Sequence, residues 1–283
     1  MRFGIAFSNR QRGLVERLSL LGDIVIKAEE LGYDSFLTTD HYMLPWGNET
    51  FETWVYLSYL AGKVSSIRLG TSVTPITFRP PSLLAKTIST LDLVSNGRVI
   101  VGIGLGWYQD EFEAYSSWDP NPVRFEKTRE ALKLMVKLWS EDTVDFEGKY
   151  YRVKGAVLQP KPVQKPHPSL WFGGSGKKML RLAAEMGNGW ITMGPRWSPL
   201  CTTVEEYRGC VEKIKRHRKS LSKNGKFTFA CLIAPPESFE EFVKEIEDYK
   251  KAGMDYLVLG IARVRDSLKL VESFKNEIIS SFS

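Results

Sequence analysis

The chain has 283 residues, of which 43% are hydrophobic and 25% charged, and its formal net charge is +6. That composition is typical of a globular protein, and no apolar run approaches the roughly 18 residues of a membrane span. The first residues, MRFGIAFSNR, hold too short an apolar segment for a signal peptide. Three cysteines without a Cys-x-x-Cys pair predict neither a disulfide framework nor a structural zinc site, so we expect a cytoplasmic protein without a metal.

Eight short apolar segments predict β-strands. In chain order they are Phe3–Phe7, Asp34–Thr39, Ile67–Val73, Arg98–Gly104, Ser169–Gly173, Gly189–Met193, Phe227–Ile233 and Tyr256–Gly260. Helices are predicted between them, because apolar residues recur at helical spacing from Leu18 to Leu31 and again from Phe239 to Tyr249. The strands are nearly continuous in apolar residues, which is typical of parallel strands buried on both faces.

A recurring joint links the helices to the strands. The segments AEELGYDSFLTT, AAEMGNGWITMG and YKKAGMDYLVLG each end a helix, place a glycine after it and begin a strand. LDLVSNGRVIVGIG does the same through Asn96 and Gly97. Glycine favours such a joint because it adopts the left-handed conformation that closes a helix.

Eight strands that alternate with helices predict an α/β fold, namely a (β/α)8 TIM barrel formed as a single domain by residues 1–283. A doubly wound open sheet has the same periodicity and stays an alternative. One region departs from the alternation. The proline-rich stretch Glu141–Pro168 is predicted to be an insertion between helix four and strand five.

Polar and glycine-rich residues follow several predicted strands, at the rim where parallel barrels place their functional groups. Strand two ends at Asp40 and His41, and strand three ends near Ser72. The turn after strand five, Gly173–Gly176, leads into a helix near Lys177. Such a turn exposes backbone N–H groups whose helix dipole favours a phosphate, although glycines that only form a tight turn are the alternative.

The segment VGIGLGW at the end of strand four lacks the G-x-G-x-x-G spacing of a dinucleotide fingerprint. Its glycines, Gly106 among them, predict that a flat ligand lies close to the strand. Trp107 and Tyr108 follow and are expected either to line that cleft or to belong to the core.

His41 stands apart from the other two histidines by position. His167 lies in the insertion and His217 in a basic helix, and both are expected to be solvated. His41 follows Asp40, and an aspartate at the end of a buried strand requires partners. We therefore interpret His41 as functional, with a structural hydrogen bond as the alternative.

The basic segment KIKRHRKSLSKNGK, residues 213–226, raises the question of nucleic-acid binding. It lacks the interleaved aromatic residues that stack on bases, so we interpret it as the solvated face of a helix and expect no nucleic-acid partner.

The chain resembles the bacterial luciferase-like superfamily, and within it the oxidoreductases that use the deazaflavin coenzyme F420. The resemblance is carried by AEELGYDSFLTTDH, by IRLGTSVTPITFRPPSLLAKTISTLDLVSNGRVIVGIGLGW with its DEFEA tail, by FEGKYYRV and by FGGSGKKMLRLAAEMGNGW, in the family's order. It implies an enzyme that moves a hydride between C5 of coenzyme F420 and a small organic substrate.

The resemblance also implies roles for single residues. Asp40 is expected to contact the deazaflavin ring, while His41 faces the substrate and transfers a proton. The Ser72–Val73 peptide is expected to be cis and to lie behind the ring, and Asp110 is expected to contact the coenzyme. The phosphate loop would comprise Gly173, Gly174, Ser175, Gly176 and Lys177.

Two positions depart from the sugar-phosphate dehydrogenases of this superfamily, which carry a glutamate where Trp107 stands and a tryptophan four residues after the histidine. Here Trp46 follows His41 by five residues. Both tryptophans are expected on the substrate side, and both differences argue against a sugar phosphate substrate. The pattern is closer to the methylenetetrahydromethanopterin reductases.

Two alternatives stay open. An FMN-dependent monooxygenase that uses oxygen is one, although that branch more often has Glu-His where this chain has Asp40 and His41. A catalytically silent flavin-binding protein is the other, and the intact pair argues against it. Family likeness predicts a homodimer without a membrane partner.

Overall fold

The computed structural model describes residues 1–10, 14–45, 49–198, 201–261 and 267–282. The strands are β1 (Arg2–Phe7), β2 (Ser35–Thr38), β3 (Arg68–Thr71), β4 (Thr74–Pro75), β5 (Val99–Gly104), β6 (Val144–Glu147), β7 (Arg152–Ala156), β8 (Ser169–Gly173), β9 (Gly189–Met193), β10 (Thr228–Ile233) and β11 (Tyr256–Ile261). The helices are α1 (Leu14–Glu30), α2 (Thr53–Ala61), α3 (Pro81–Val94), α4 (Gln109–Tyr115), α5 (Asn121–Ser140), α6 (Lys177–Met186), α7 (Val204–Ser220), α8 (Phe239–Lys251) and α9 (Ser267–Glu277). Short 3-10 helices form at Ile76–Phe78 and Ile279–Phe282.

The eight predicted strands are all observed, and they close into a parallel barrel. Strand β1 pairs with both β2 and β11, and β8 pairs with β5 and β9. The ring closes where β3 pairs with β5, with Leu69 opposite Val99 and Gly70 opposite Ile100. Because an open sheet has two unpaired edges, this closure rules out the doubly wound alternative and confirms the (β/α)8 barrel.

Two apolar layers account for the continuous hydrophobicity of the strands. Side chains such as Leu37, Ile100, Trp171 and Val258 fill the barrel interior and are at most 1% exposed. The other face of each strand packs against the helices in a larger cluster. Parallel strands buried on both faces produce this pattern.

The helix-to-strand joints behave as predicted at three of the four glycines. Gly32, Gly97 and Gly253 have φ values of 80°, 79° and 105°, in the left-handed region. Gly187 instead has φ −86°, so the left-handed prediction is wrong there. A Cβ at Gly187 would lie 2.5 Å from the carbonyl oxygen of Ala183, and close packing rather than backbone conformation requires the glycine.

The predicted insertion is observed as an antiparallel hairpin of β6 and β7. The Glu130 carboxylate of α5 accepts hydrogen bonds from the backbone N–H groups of Lys149, Tyr150 and Tyr151 in the hairpin turn. One short element was not predicted. Helix α4 lies between β5 and α5, and it supplies a residue of the site described below.

A polar cluster occupies the amino end of the barrel. Arg68 donates to Asp34 through Nε at 3.1 Å, and the Tyr256 hydroxyl donates to the same carboxylate at 2.6 Å. Burial raises the pKa of Tyr256 above its ordinary value. The cluster lies at the end of the barrel opposite the carboxyl ends of the strands, where the rim residues meet. Its arginine–aspartate pair can therefore be substituted as a control for substitutions at the rim.

The seam between β3 and β5 depends on small residues. A Cβ at Gly102 would lie 1.9 Å from the carbonyl oxygen of Thr71, so Gly102→Ala forces the two strands apart. We expect the free energy of unfolding to fall by about 1–3 kcal/mol. Gly22→Ala in α1 is the control, because its Cβ meets Tyr59 at 3.9 Å and alanine stabilises a helix by about 0.5–1 kcal/mol. Urea unfolding measures both, and a wild-type midpoint for Gly102→Ala would contradict the close approach.

Candidate active site

Two cavities open at the carboxyl end of the barrel. The front cavity, of about 530 Å³, is lined by residues that include His41, Trp107 and Lys177. The rear cavity, of about 970 Å³, is lined by residues that include Cys201 and Glu205. The two meet at a shared wall formed by Ser72, Val73, Gly173, Gly174 and Met193.

The imidazole of His41 is held by a buried carboxylate. Its Nδ1 lies 2.9 Å from Oε2 of Glu111, a side chain that is 1% exposed. The other oxygen, Oε1, accepts hydrogen bonds from the backbone N–H groups of Tyr42 and Met43. A carboxylate that already accepts two donors is an acceptor for the third, so Nδ1 carries the ring proton. The second ring nitrogen, Nε2, is therefore left unprotonated in the neutral imidazole.

Two further contacts fix the position of His41. Asn9 is fully buried, and its side-chain amide donates to the carbonyl oxygens of His41 at 2.7 Å and Phe51 at 3.0 Å. The Trp107 ring meets the imidazole edge-on, with centroids 5.9 Å apart. The histidine thus has a fixed tautomer and orientation at the front cavity. The sequence left a functional and a structural role of His41 as alternatives, and the structure shows a structural hydrogen bond on a ring that still lines the cavity.

Asp40 turns away from both cavities. Its carboxylate is 1% exposed and is bound through both oxygens by Arg79, at 2.7 and 3.0 Å. Arg79 also pairs with Glu52 and lies 5.1 Å from the centroid of the Tyr42 ring. Burial raises the pKa of Tyr42 to about 12, so its hydroxyl is neutral near pH 7. Contact between Asp40 and a coenzyme stays a prediction.

The peptide bond between Ser72 and Val73 is cis, which confirms the prediction. Neighbouring strands make room for Val73: a Cβ at Gly104 would lie 2.4 Å from its Cγ2, and one at Gly173 would lie 3.0 Å from its Cγ1. Gly173, predicted to touch a phosphate, therefore also serves to admit this side chain. The Ser72 hydroxyl is inaccessible and makes no hydrogen bond to any described residue.

The predicted phosphate loop presents open backbone. Gly174 has φ 90°, and nothing lies within 4 Å of a Cβ placed at Gly174 or Gly176. Gly176 begins α6 without a side-chain cap, so the first N–H groups of that helix are available to a ligand. The indole of Trp190 donates to the Gly174 carbonyl at 2.9 Å and holds the loop from below. Ser175 faces the rear cavity and Lys177 the front cavity.

The other predicted site residues lie partly at the front cavity and partly outside it. Asp110 is exposed, accepts a hydrogen bond from the Tyr108 hydroxyl at 3.2 Å and lines neither cavity. Gly106 lines the front cavity with φ 78°. Trp107 lines the same cavity, whereas Trp46 lies outside the described residues.

Sequence reasoning missed Glu111, Arg79 and Asn9. Glu111 follows Asp110 directly in the segment QDEFEAY, which forms α4. Glu111 and Phe112 are the buried residues of that helix, and its helical pattern was the signal that could have indicated them. Helical periodicity places those two residues on one face but does not say that a histidine from another strand meets them.

The basic segment has structural uses. Arg218 is largely buried, donates to the carbonyl oxygen of Gly225 at 2.7 Å and lies 4.6 Å from the centroid of the Phe227 ring. His217 was predicted to be solvated, and its Nε2 lies 3.3 Å from Oε1 of Glu185. Elsewhere in the described ranges there is no cluster of metal-ligating side chains, and no helix there has the length and apolar character to cross a membrane.

The Luciferase-like monooxygenase family model matches residues 1–263, and the chain belongs to that family. This confirms the resemblance drawn from the sequence.

Two relatives are similar over much of the chain, and both are named F420-dependent glucose-6-phosphate dehydrogenase. The protein of Microbacterium testaceum (strain StLB037) is 35% identical over 196 residues, which is 68% of this chain but only 56% of that relative. The protein of Kineococcus radiotolerans (strain ATCC BAA-149 / DSM 14245 / SRS30216) is 35% identical over 272 residues, 92% of this chain and 79% of the relative.

Solved structures share the fold. An F420-dependent secondary alcohol dehydrogenase in complex with an F420-acetone adduct superposes with a TM-score of 0.82 at 23% identity, over 99% of this chain and 98% of the other. Monooxygenase RslO1 from Streptomyces bottropensis superposes with a TM-score of 0.83 at 20% identity, over the full length of both chains. At these identities the likeness shows the barrel and not the reaction.

The cysteines provide a probe of the rear cavity. Cys201 and Cys210 both line it, but Cys201 is exposed whereas Cys210 and Cys231 are buried. Burial raises the pKa of the Cys210 and Cys231 thiols. Because the thiolate is the reactive form, we expect one of the three thiols to react promptly with Ellman's reagent in the native protein and all three in denaturant. Cys201→Ser should abolish the prompt reaction, and a second prompt thiol would contradict the described burial.

Proposed function

We propose that the protein is an oxidoreductase that transfers a hydride between coenzyme F420 and a small organic substrate with an alcohol or carbonyl group. The observation that carries the proposal is the buried hydrogen bond from His41 to Glu111, which prepares Nε2 of the imidazole as a base at the front cavity. The names of the similar relatives support the choice of coenzyme.

The rim fits a deazaflavin coenzyme in two ways. Gly106 brings open backbone to the front cavity. Gly174 and Gly176 leave room over N–H groups suited to the phosphate. When bound, the coenzyme supplies hydride transfer at C5 of its deazaflavin ring.

The chain's own residues then handle the proton. Oxidation of an alcohol releases the hydroxyl proton, and Nε2 of His41 is the acceptor that the geometry leaves available. Glu111 stabilises the imidazolium that forms, because its carboxylate already accepts the Nδ1 proton. In the reverse direction the same imidazolium returns the proton to the reduced carbonyl. Trp107 beside the ring helps to exclude water.

The relatives guide the choice of substrate. Their names make glucose 6-phosphate the first compound to assay, although the tryptophan at position 107 argues against a sugar phosphate. A simple secondary alcohol is the second. The relatives do not favour the FMN-dependent monooxygenase alternative.

Location and assembly stay predictions. A cytoplasmic homodimer is the expectation, from the cysteine pattern and from likeness to the family respectively. The substrate is expected to be a small molecule.

The proton-transfer roles predict a matched pair of defects. His41→Asn removes the base and should lower turnover by about 10²–10⁴-fold. Glu111→Gln replaces one acceptor oxygen by an NH₂ group, which cannot accept the hydrogen bond donated to that position. The imidazole then loses its fixed tautomer, and a loss of similar size, about 10²–10⁴-fold, is expected. Steady-state turnover with coenzyme F420 measures both.

The control for that pair is Glu113→Gln on the same helix. Glu113 is exposed and bonds only to Gln109 at 2.7 Å among the described contacts, so turnover should stay at the wild-type level. Turnover near wild type for His41→Asn, when chemistry limits the rate, would exclude His41 as the proton acceptor.

The glycine loop predicts a defect in binding alone. Gly174→Val closes the space above the loop and should weaken coenzyme binding at least about tenfold, or 1.4 kcal/mol. Gly155→Val in the hairpin is the control, because Gly155 also has a positive φ with nothing within 4 Å of its Cβ. Both variants should lose similar stability, and only Gly174→Val should lose affinity in a fluorescence titration. Wild-type affinity in folded Gly174→Val would mean that another loop holds the phosphate.

A further inference from the structure

The loop that carries His41, residues 39–45, is held by charges from two directions. Glu111 reaches it from α4, and Arg79 reaches it from the turn after the 3-10 helix Ile76–Phe78. Arg79 donates two hydrogen bonds, of 2.7 and 3.0 Å, to the carboxylate of Asp40, the residue directly before His41. The carboxylates of Asp40 and Glu111 are both 1% exposed and the Arg79 side chain is 10% exposed, so these are interior charges.

Arg79 ties this loop to two helices. Its Nε donates to Glu52 at 3.1 Å, and the other oxygen of Glu52 caps α2 by accepting the Val55 N–H in the first turn. Its guanidinium lies over the Tyr42 ring, whose other neighbours include Tyr115, with centroids 5.0 Å apart. Tyr115 lies one helical turn after Glu111 on α4. Arg79 therefore touches a ring that packs against the helix that holds His41.

The distribution of charge makes Arg79 necessary. Three carboxylates surround the loop, those of Asp40, Glu52 and Glu111. Among the described residues, Arg79 is the cation that forms ion pairs with the first two. A buried carboxylate without a partner attracts any nearby donor or proton. If Asp40 were unpaired, its buried carboxylate would move towards water or another donor, and the backbone that joins it to His41 would lose its anchor.

We propose that Arg79 is a positioning residue for His41. By binding Asp40 and lying over the Tyr42 ring, it anchors the residues on both sides of His41 and so keeps Nδ1 of the imidazole at Glu111. The catalytic consequence depends on the function proposed above, whereas the effect on the imidazole does not, and the two are measured separately.

The imidazole is observed directly by ¹⁵N NMR of protein labelled at histidine. The chain has three histidines, so His167→Gln and His217→Gln assign the His41 signals. The wild type should show a protonated Nδ1 and an unprotonated Nε2 at neutral pH. In Arg79→Met, both tautomers should be populated or the second nitrogen should become protonated. Neither coenzyme nor substrate is needed for this measurement.

The double variant Asp40→Asn/Arg79→Met keeps the proposal testable if Arg79→Met alone does not fold. It removes both charges at once and leaves neither ion of the pair unpaired in the interior, which is the usual reason that single variants of buried pairs unfold. It should show the same mixture of tautomers. At saturating coenzyme, the loss in kcat should be about 10–100-fold in Arg79→Met and no larger in the double variant. Coenzyme affinity should be unchanged in Arg79→Met, which keeps Asp40.

Asp34→Asn/Arg68→Met is the matched control at the amino end of the barrel, where an arginine also binds an aspartate. It should lower stability and leave the His41 signals and kcat as in the wild type. A merely structural role for Arg79 would give the same result as this control.

The inference is overturned if folded Asp40→Asn/Arg79→Met keeps the wild-type tautomer and a kcat within about twofold. If the His41 signals change as expected but the wild type turns over no F420, the positioning role holds and the proposed function fails. The two failures are thus distinguishable.

Discussion

The site depends on one buried carboxylate. Glu111 accepts hydrogen bonds from the His41 ring and from two backbone N–H groups of the same loop. A charge that is 1% exposed persists only with its partners in place. The loop after β2 and the start of α4 must therefore stay in fixed register. Phe112, the next residue, stabilises that register by packing 4.4 Å from Phe78, centroid to centroid.

The barrel provides the second constraint, through what its strands omit. Val73 projects at the rim because Gly104 and Gly173 on adjacent strands lack the atoms that would collide with it. The same glycine-rich ends leave backbone N–H groups free for a ligand. Packing against Val73 and close approach of a ligand thus both require the absence of a side chain at these positions. A glycine at the end of a strand in this barrel can therefore serve either role.

The repeating elements of the fold could be predicted from the sequence, and the contacts between distant segments could not. Eight apolar segments joined by glycine turns predict alternating strands and helices because each joint is a local feature. The pairing of β3 with β5 that closes the barrel is not local, and the periodicity alone left an open sheet as an alternative. The cis peptide at Ser72–Val73 followed from resemblance alone. Glu111 was missed because the sequence does not show which of two adjacent acids, Asp110 or Glu111, faces the loop after β2. The ion pair of Asp40 with Arg79 could not be predicted, because Arg79 lies 39 residues away and gives no local sign of being its partner.

The central claim is that this rim binds a deazaflavin and prepares His41 to exchange a proton beside it. The most direct test is a parallel fluorescence titration of the apoprotein with coenzyme F420 and with FMN, under anaerobic conditions and at equal ionic strength. The account predicts that F420 binds at least about tenfold more tightly than FMN, a difference of 1.4 kcal/mol. Tighter binding of FMN, with no saturable binding of F420, would contradict it.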